Sequence, residues 1–91
     1  MKVRAHILVS GRVQGVFFRS QTKHTADNHD VKGWVRNLPD GRLEAVFEGE
    51  QDAVQKLIDF CKRGPAGARV TNIDLNWQTY TGTTNRFKIK Y

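Results

Sequence analysis

Val31-Lys32-Gly33-Trp34-Val35-Arg36-Asn37 and Arg42-Leu43-Glu44-Ala45-Val46-Phe47-Glu48-Gly49 flank the four residues Leu38-Pro39-Asp40-Gly41. Proline presets φ at the first corner of a turn, aspartate bonds to backbone two residues on, and glycine tolerates positive φ. A Pro-Asp-Gly run between two strand-like segments therefore predicts a β-hairpin. Directly after it, Gln51 to Arg63 carries Val54, Leu57, Ile58 and Cys61 at the i, i+3, i+4, i+7 spacing of a helix with one apolar face. Acids lie at its start, bases at its end, and Gly64-Pro65 stops it. Before the hairpin, Phe18 to His29 lacks glycine and proline and sets Phe18, Thr22 and Ala26 on one stripe, which predicts a second helix with thinner apolar content.

Strands are expected outside these helices. Val3, Ala5, Ile7 and Val9 alternate with Arg4, His6, Leu8 and Ser10, the period-2 pattern of a strand with one buried face. Ile73, Leu75 and Trp77 alternate with Asn72, Asp74 and Asn76. After a polar loop from Thr79 to Asn85, Phe87, Ile89 and Tyr91 alternate with Lys88 and Lys90. The order predicts an α+β, ferredoxin-like βαββαβ sandwich: an antiparallel sheet with two helices on one face and a short C-terminal strand. If Leu43, Ala45 and Phe47 face the core, Glu44, Val46 and Glu48 face outward. Trp34 and Trp77 are read as packing groups.

At 91 residues the chain is long enough for one core and too short for two, so residues 1–91 are expected to form a single domain. Hydrophobic content of 38% beside 26% charged residues excludes a disordered tail or a membrane span. No apolar h-region follows Met1, which points to the cytoplasm. The lone Cys61 cannot form an internal disulfide, and its place on the apolar stripe makes it a space filler. His24 and His29 do not share a helix face and His6 lies on a strand, so no metal site is expected. A formal net charge of +6 favours an anionic partner without choosing among phosphate compounds, nucleic acid and acidic lipid.

Gly11-Arg12-Val13-Gln14-Gly15-Val16-Phe17 leads from the first strand into the first turn of the first helix, where unpaired backbone N–H groups and the positive dipole end favour an anion. Arg19 sits in that turn. A cation there opposes the helix dipole unless an anion lies between loop and guanidinium, whose planar fork can bind two phosphoryl oxygens. An ordinary strand-to-helix turn with a solvated arginine is the commoner meaning of such spacing. Asn37 ends its strand just before the hairpin turn. Its side-chain carbonyl can accept from a water, although an Asx turn is the commoner role at a strand end.

The run Gly11-Arg12-Val13-Gln14-Gly15-Val16-Phe17-Phe18-Arg19 resembles the acylphosphatase signature G-x-V-Q-G-V-x-F-R. Gly33-Trp34-Val35-Arg36-Asn37, with Gly41 and Gly49, resembles the second signature of that family, with Leu43 where valine is usual. The likeness spans nearly the whole chain. It implies that backbone N–H groups of the Gly11 to Arg19 loop cradle a phosphoryl group, that Arg19 is the catalytic arginine and that Asn37 orients the attacking water. Thr22 matches a threonine often found there and is carried as a supporting residue. The resemblance implies a small acyl phosphate as substrate, inorganic phosphate as product and inhibitor, and no metal or cofactor. A monomer without nucleic-acid or membrane partner is expected.

The residue types suit that chemistry. A departing carboxylate has a pKa of about 4, so no general acid is required. If the transferring group is loosely bound in the transition state, positioning and electrostatics carry most of the acceleration. The rival class is an RNA-binding module, which shares this topology. Outward-facing Glu44 and Glu48 stand against it, where such a sheet needs bases and stacking aromatics. A catalytically silent domain of the same fold is a third reading, opposed by the presence of both Arg19 and Asn37.

Overall fold

Alternation along the first strand drives Ala5, Ile7 and Val9 to one side, where all three are fully buried, while Arg4, His6 and Leu8 face the other way. The computed structural model describes residues 1–91. Its elements are β1 (Lys2–Arg12), α1 (Phe18–Asn28), β2 (Lys32–Asn37), β3 (Leu43–Glu50), α2 (Gln51–Arg63), β4 (Arg69–Gln78) and β5 (Phe87–Ile89). The sheet order is β4-β1-β3-β2-β5. No helix is long and apolar enough to cross a membrane.

The two helices close the apolar face. Val54, Leu57, Ile58 and Cys61 of α2 are all buried, as the spacing predicts, and Phe18, Thr22 and Ala26 of α1 are the buried stripe of the other helix. Each large apolar side chain so buried contributes about 1.5–3 kcal/mol. Phe47 of β3 stacks on Phe87 of β5 with ring centroids 5.8 Å apart, within the sheet layer, and Phe18 of α1 meets Phe60 of α2 edge-on at 6.1 Å, which joins the two helices. The hairpin turn forms as expected: Leu38 N–H donates to Arg42 O, and the Asp40 carboxylate accepts from the Arg42 N–H.

Three expectations change. The sheet is mixed, because β5 pairs with β2 in parallel, Gly33 opposite Phe87. The connection from β4 crosses the sheet at the end where β2 begins, so β5 must start there and run the same way. Trp34 and Trp77 lie outside the core cluster. Trp77 is 48% exposed on edge strand β4, and Trp34 sits on the outer face with Lys90 and Arg36 over its ring at 4.4 and 5.3 Å. The outward side of β3 is also less open than the alternation implies. Val46, between His6 and Trp34 in its row, and Glu48, bonded by the crossing segment, are buried, Glu48 to 1% exposure.

Glu48 holds that segment. Its carboxylate accepts from the Thr81 N–H at 2.8 Å, from the hydroxyls of Thr81 and Thr84, and pairs with Arg4 at 3.2 Å. Burial by itself pushes the Glu48 carboxyl up, but the Thr81 donors and Arg4 outweigh it and hold it below the usual range. Glu44 is likewise held low against its burial by His6 at 2.7 Å and Arg36 at 2.6 Å. A carboxyl depressed in the native state adds stability above its ordinary value of 4.5 and loses it as pH falls through the lower native value. Urea midpoints should therefore be level from neutral pH to about pH 5 and fall below about 4.5. Glu48→Gln should lower stability at neutral pH by about 1–3 kcal/mol and make the acid fall shallower. An acid limb identical to that of the native chain would contradict the role assigned to Glu48.

Candidate active site

The loop after β1 begins later than its glycines suggest. Gly11 and Arg12 remain in the strand, paired with Val70 and Arg69 beyond a register shift at Ser10/Gly11. Gly11 has φ +118°, and a Cβ there would lie 2.1 Å from the Arg69 carbonyl oxygen, so only glycine lets β4 approach. Val13 is buried in the core and Val16 packs against it, which fastens the loop from below. Between them Gly15 turns with φ +73° over open space.

Helix α1 then starts from Phe17, which has left-handed backbone (φ 61°, ψ 22°) and an 80% exposed ring. No side chain caps the first turn and no acid lies in it. Its N–H groups are thus left for an anion. Arg19, half-buried in this turn, has no carboxylate partner, unlike Arg4, Arg36 and Arg42. Its guanidinium lies over the Tyr91 ring at 5.0 Å.

Asn37 reaches the same place from the other side. It is opposite Leu43, and Leu43 is opposite Val9, so one row across three strands brings the end of β2 beside the end of β1. In the alternation of β2 it follows buried Gly33 and Val35 on the helix-facing side. Its Oδ1 is buried and has no hydrogen-bond partner. A buried acceptor left in this way costs about 1–3 kcal/mol, a loss tolerated chiefly at working sites.

A cavity of about 340 Å³ joins these groups, lined by Val13, Gly15, Phe17, Phe18, Arg19, Ser20, Asn37, Ile89 and Tyr91. Gly11, Arg12, Gln14 and Val16, also expected at the site, are not among the lining residues. Gln14 instead sends its amide into the hairpin, donating to Leu38 O and Arg42 O. Thr22 is fully buried and its hydroxyl donates to the Phe18 carbonyl at 2.7 Å, outside the cavity. Ser20, Ile89 and Tyr91 are additions. Alternation with Phe87 and Ile89 already put Tyr91 on the helix side, but its position past the strand end is a tertiary fact. Cys61 takes no part: burial pushes its thiol up to about 12, the Thr22 hydroxyl opposing weakly.

A split βαβ sandwich that brings an uncapped helix terminus, an unpaired arginine and an orphaned amide oxygen to one cavity is an α+β domain with a site suited to an anion. Comparison with known proteins narrows the class. The acylphosphatase family model matches residues 5–89. The acylphosphatase of Pelotomaculum thermopropionicum is 49% identical over 90 residues, 99% of this chain and 98% of that one. That of Chloroflexus aurantiacus is 55% identical over 87 residues, 96% and 95% of the two chains. The crystal structure of acylphosphatase from Bacillus subtilis superposes with a TM-score of 0.93 at 37% identity, over 98% of this chain and 99% of that one. The chain belongs to the acylphosphatase family, a family of hydrolases.

The two loop glycines should fail differently. Gly15→Ala meets no atom and adds only left-handed strain, about 1–2 kcal/mol. Gly11→Ala collides with the β4 backbone, so its loss of stability in urea unfolding should be clearly larger. Equal losses would mean that β4 yields at Gly11.

Proposed function

We propose that the chain hydrolyses acyl phosphates to a carboxylate and inorganic phosphate, with Arg19 and the Gly11 to Arg19 loop gripping the phosphoryl group and Asn37 placing the water. The observation that carries this reading is the buried, unpartnered Oδ1 of Asn37 in one cavity with the unpaired Arg19. An amide oxygen can accept a hydrogen bond from water, which turns a lone pair of that water toward whatever the arginine holds. Water then attacks phosphorus, the bond from phosphorus to the acyl oxygen breaks, and the carboxylate leaves with the electron pair. One proton of the water stays on the phosphate, and the other passes to solvent or to a second phosphate oxygen. Because the leaving group is a weak base, the cavity needs no acid to protonate it.

The polar wall of Gly15, Arg19 and Asn37 suits the phosphoryl oxygens, and the apolar wall of Phe17, Ile89 and Tyr91 suits an acyl group. Small acyl phosphates such as acetyl phosphate, carbamoyl phosphate and benzoyl phosphate fit this division. The reading includes a metal-independent reaction by one domain acting as a monomer in the cytoplasm, for which the lone buried thiol is suited. His, Cys, Asp and Glu side chains form no group of three that could hold a metal ion, so EDTA should leave turnover unchanged. Loss of activity restored by a divalent ion would overturn metal independence.

Kinetics of two variants test the roles. Inorganic phosphate should inhibit the native enzyme competitively, since it offers the same oxygens to the loop and Arg19. Arg19→Lys keeps the charge and loses the fork, so kcat/KM and phosphate affinity should each fall about 10-fold or more. Asn37→Ala should lower kcat on the order of 100-fold while phosphate affinity stays within about 3-fold, because no phosphate ligand is removed. Near-native kcat in a folded Asn37→Ala protein would sink the water-placing role.

A further inference from the structure

The two halves of this site come from different parts of the chain, the loop after β1 and the end of β2, and one side chain joins them. Gln14 Nε2 donates to Leu38 O at 2.8 Å and to Arg42 O at 3.0 Å. Those carbonyls form the neck of the hairpin, and Leu38 follows Asn37 directly. Along the loop, Gln14 lies between Val13, buried in the core, and Gly15, which lines the cavity. The other edge of β2 is held as far as Val35, whose carbonyl accepts from the Lys90 N–H at 2.8 Å. Asn37 pairs with Leu43 of β3, but β5 meets β2 only at Gly33, Trp34 and Val35, so the other edge of Asn37 has no strand beside it.

Resting on the reading that Asn37 places the water, we infer that Gln14 is the positioning residue for Asn37. Its amide fixes the distance from the water site to the phosphoryl cradle. The hairpin does not need this tie in order to form. Leu38 O also accepts from the Gly41 N–H at 3.1 Å, and Arg42 O from the Leu38 N–H at 2.8 Å. Both carbonyls therefore keep a partner when Gln14 is changed, and the effect of a substitution falls on alignment more than on folding.

Gln14→Glu keeps the shape and turns two donors into acceptors facing carbonyl oxygens. With benzoyl phosphate at pH 7, kcat should drop about 10-fold or more, as a misplacement near 1 Å can produce, while the inhibition constant of inorganic phosphate moves less than about 3-fold. Lowering the pH toward 5 should raise the ratio of variant to native kcat, because the protonated carboxyl regains one donor. The decisive arm is the cycle with Asn37→Ala. In that background Gln14→Glu should change kcat by less than about 3-fold, since the group it positions is gone. The same drop in both backgrounds, or native kcat in Gln14→Glu, overturns the inference alone. Native kcat in Asn37→Ala overturns the water-placing role and the inference with it. Should Gln14→Glu unfold under assay conditions, Gln14→Met, equal in length and without an amide, replaces it in the same cycle at pH 7 with the same kcat outcomes and no dependence of the ratio on pH.

Discussion

The register that sets Val9, Leu43 and Asn37 side by side is the constraint on which the rest depends. Side chains alternate strictly along a strand, so a slip of one residue in β2 would turn Asn37 to the outer face and Arg36 inward. That slip is prevented far from the cavity. Val35, Ala45 and Ile7 share one row across the sheet, all fully buried, and the next row contains Phe47 stacked on Phe87. Exposing these rows would forfeit several side chains at about 1.5–3 kcal/mol each, more than any gain at the turn could offset. The apolar core and the polar site are thus consecutive rows of one face, and the packing of the first sets the geometry of the second.

Charge is divided between the two faces by the same alternation. Glu44 and Glu48 point outward with Arg4, His6 and Arg36 as partners, so the carboxylates nearest the middle of the sheet are both neutralised and turned away from the cavity. On the cavity side Arg19 has no acid to satisfy it, and the first turn of α1 holds none. Against a formal net charge of +6, this leaves a local positive site in a generally positive field, which raises the encounter rate of a dianion without any change in the contacts it makes. The ion pairs of the outer face serve a different end: Glu48, through Thr81 and Thr84, fixes the crossing segment that delivers β5 and Tyr91 to the cavity rim.

Local pattern made most of the fold legible. The spacing of Val54, Leu57, Ile58 and Cys61 marked α2 to its end residues, and Pro39-Asp40-Gly41 marked the hairpin, because each is decided within a few residues by backbone geometry. The parallel β5 and the burial of Glu48 were not legible, since both follow from the path of the polar residues between β4 and β5, and polar loops have no period to read. At the site, a strand, two glycines and a helix start made the loop and Arg19 candidates only, since an ordinary turn with a solvated arginine is the commoner meaning of that spacing, and the resemblance to the family signature singled them out. Asn37 taken alone reads as an Asx-turn former, and the second signature singled it out; the structure adds that its oxygen is buried and unpartnered. Gln14 was legible only as a loop member; that its side chain leaves the loop for the hairpin depends on two segments more than twenty residues apart meeting in space.

The proposed reaction asks for no acid, base or metal and so depends on placement more than most, and the structure commits conformational strain at the cavity. Phe17 has φ of 61°, a region that costs a residue with a Cβ about 1–2 kcal/mol, and its exposed ring recovers little of this by packing. Glycine would occupy the position with less strain. What the left-handed residue accomplishes is a sharp reversal between the loop, pinned by Val13 and Val16, and the helix, pinned by Phe18 in the core. With both ends anchored, Phe18, Arg19 and Ser20 of the first turn line the cavity that Asn37 lines from the sheet. In the proposed reaction this strain acts on alignment: a rigid reversal keeps the phosphoryl cradle from drifting away from the water site, and the stability it sacrifices is small beside that of the core rows that carry it.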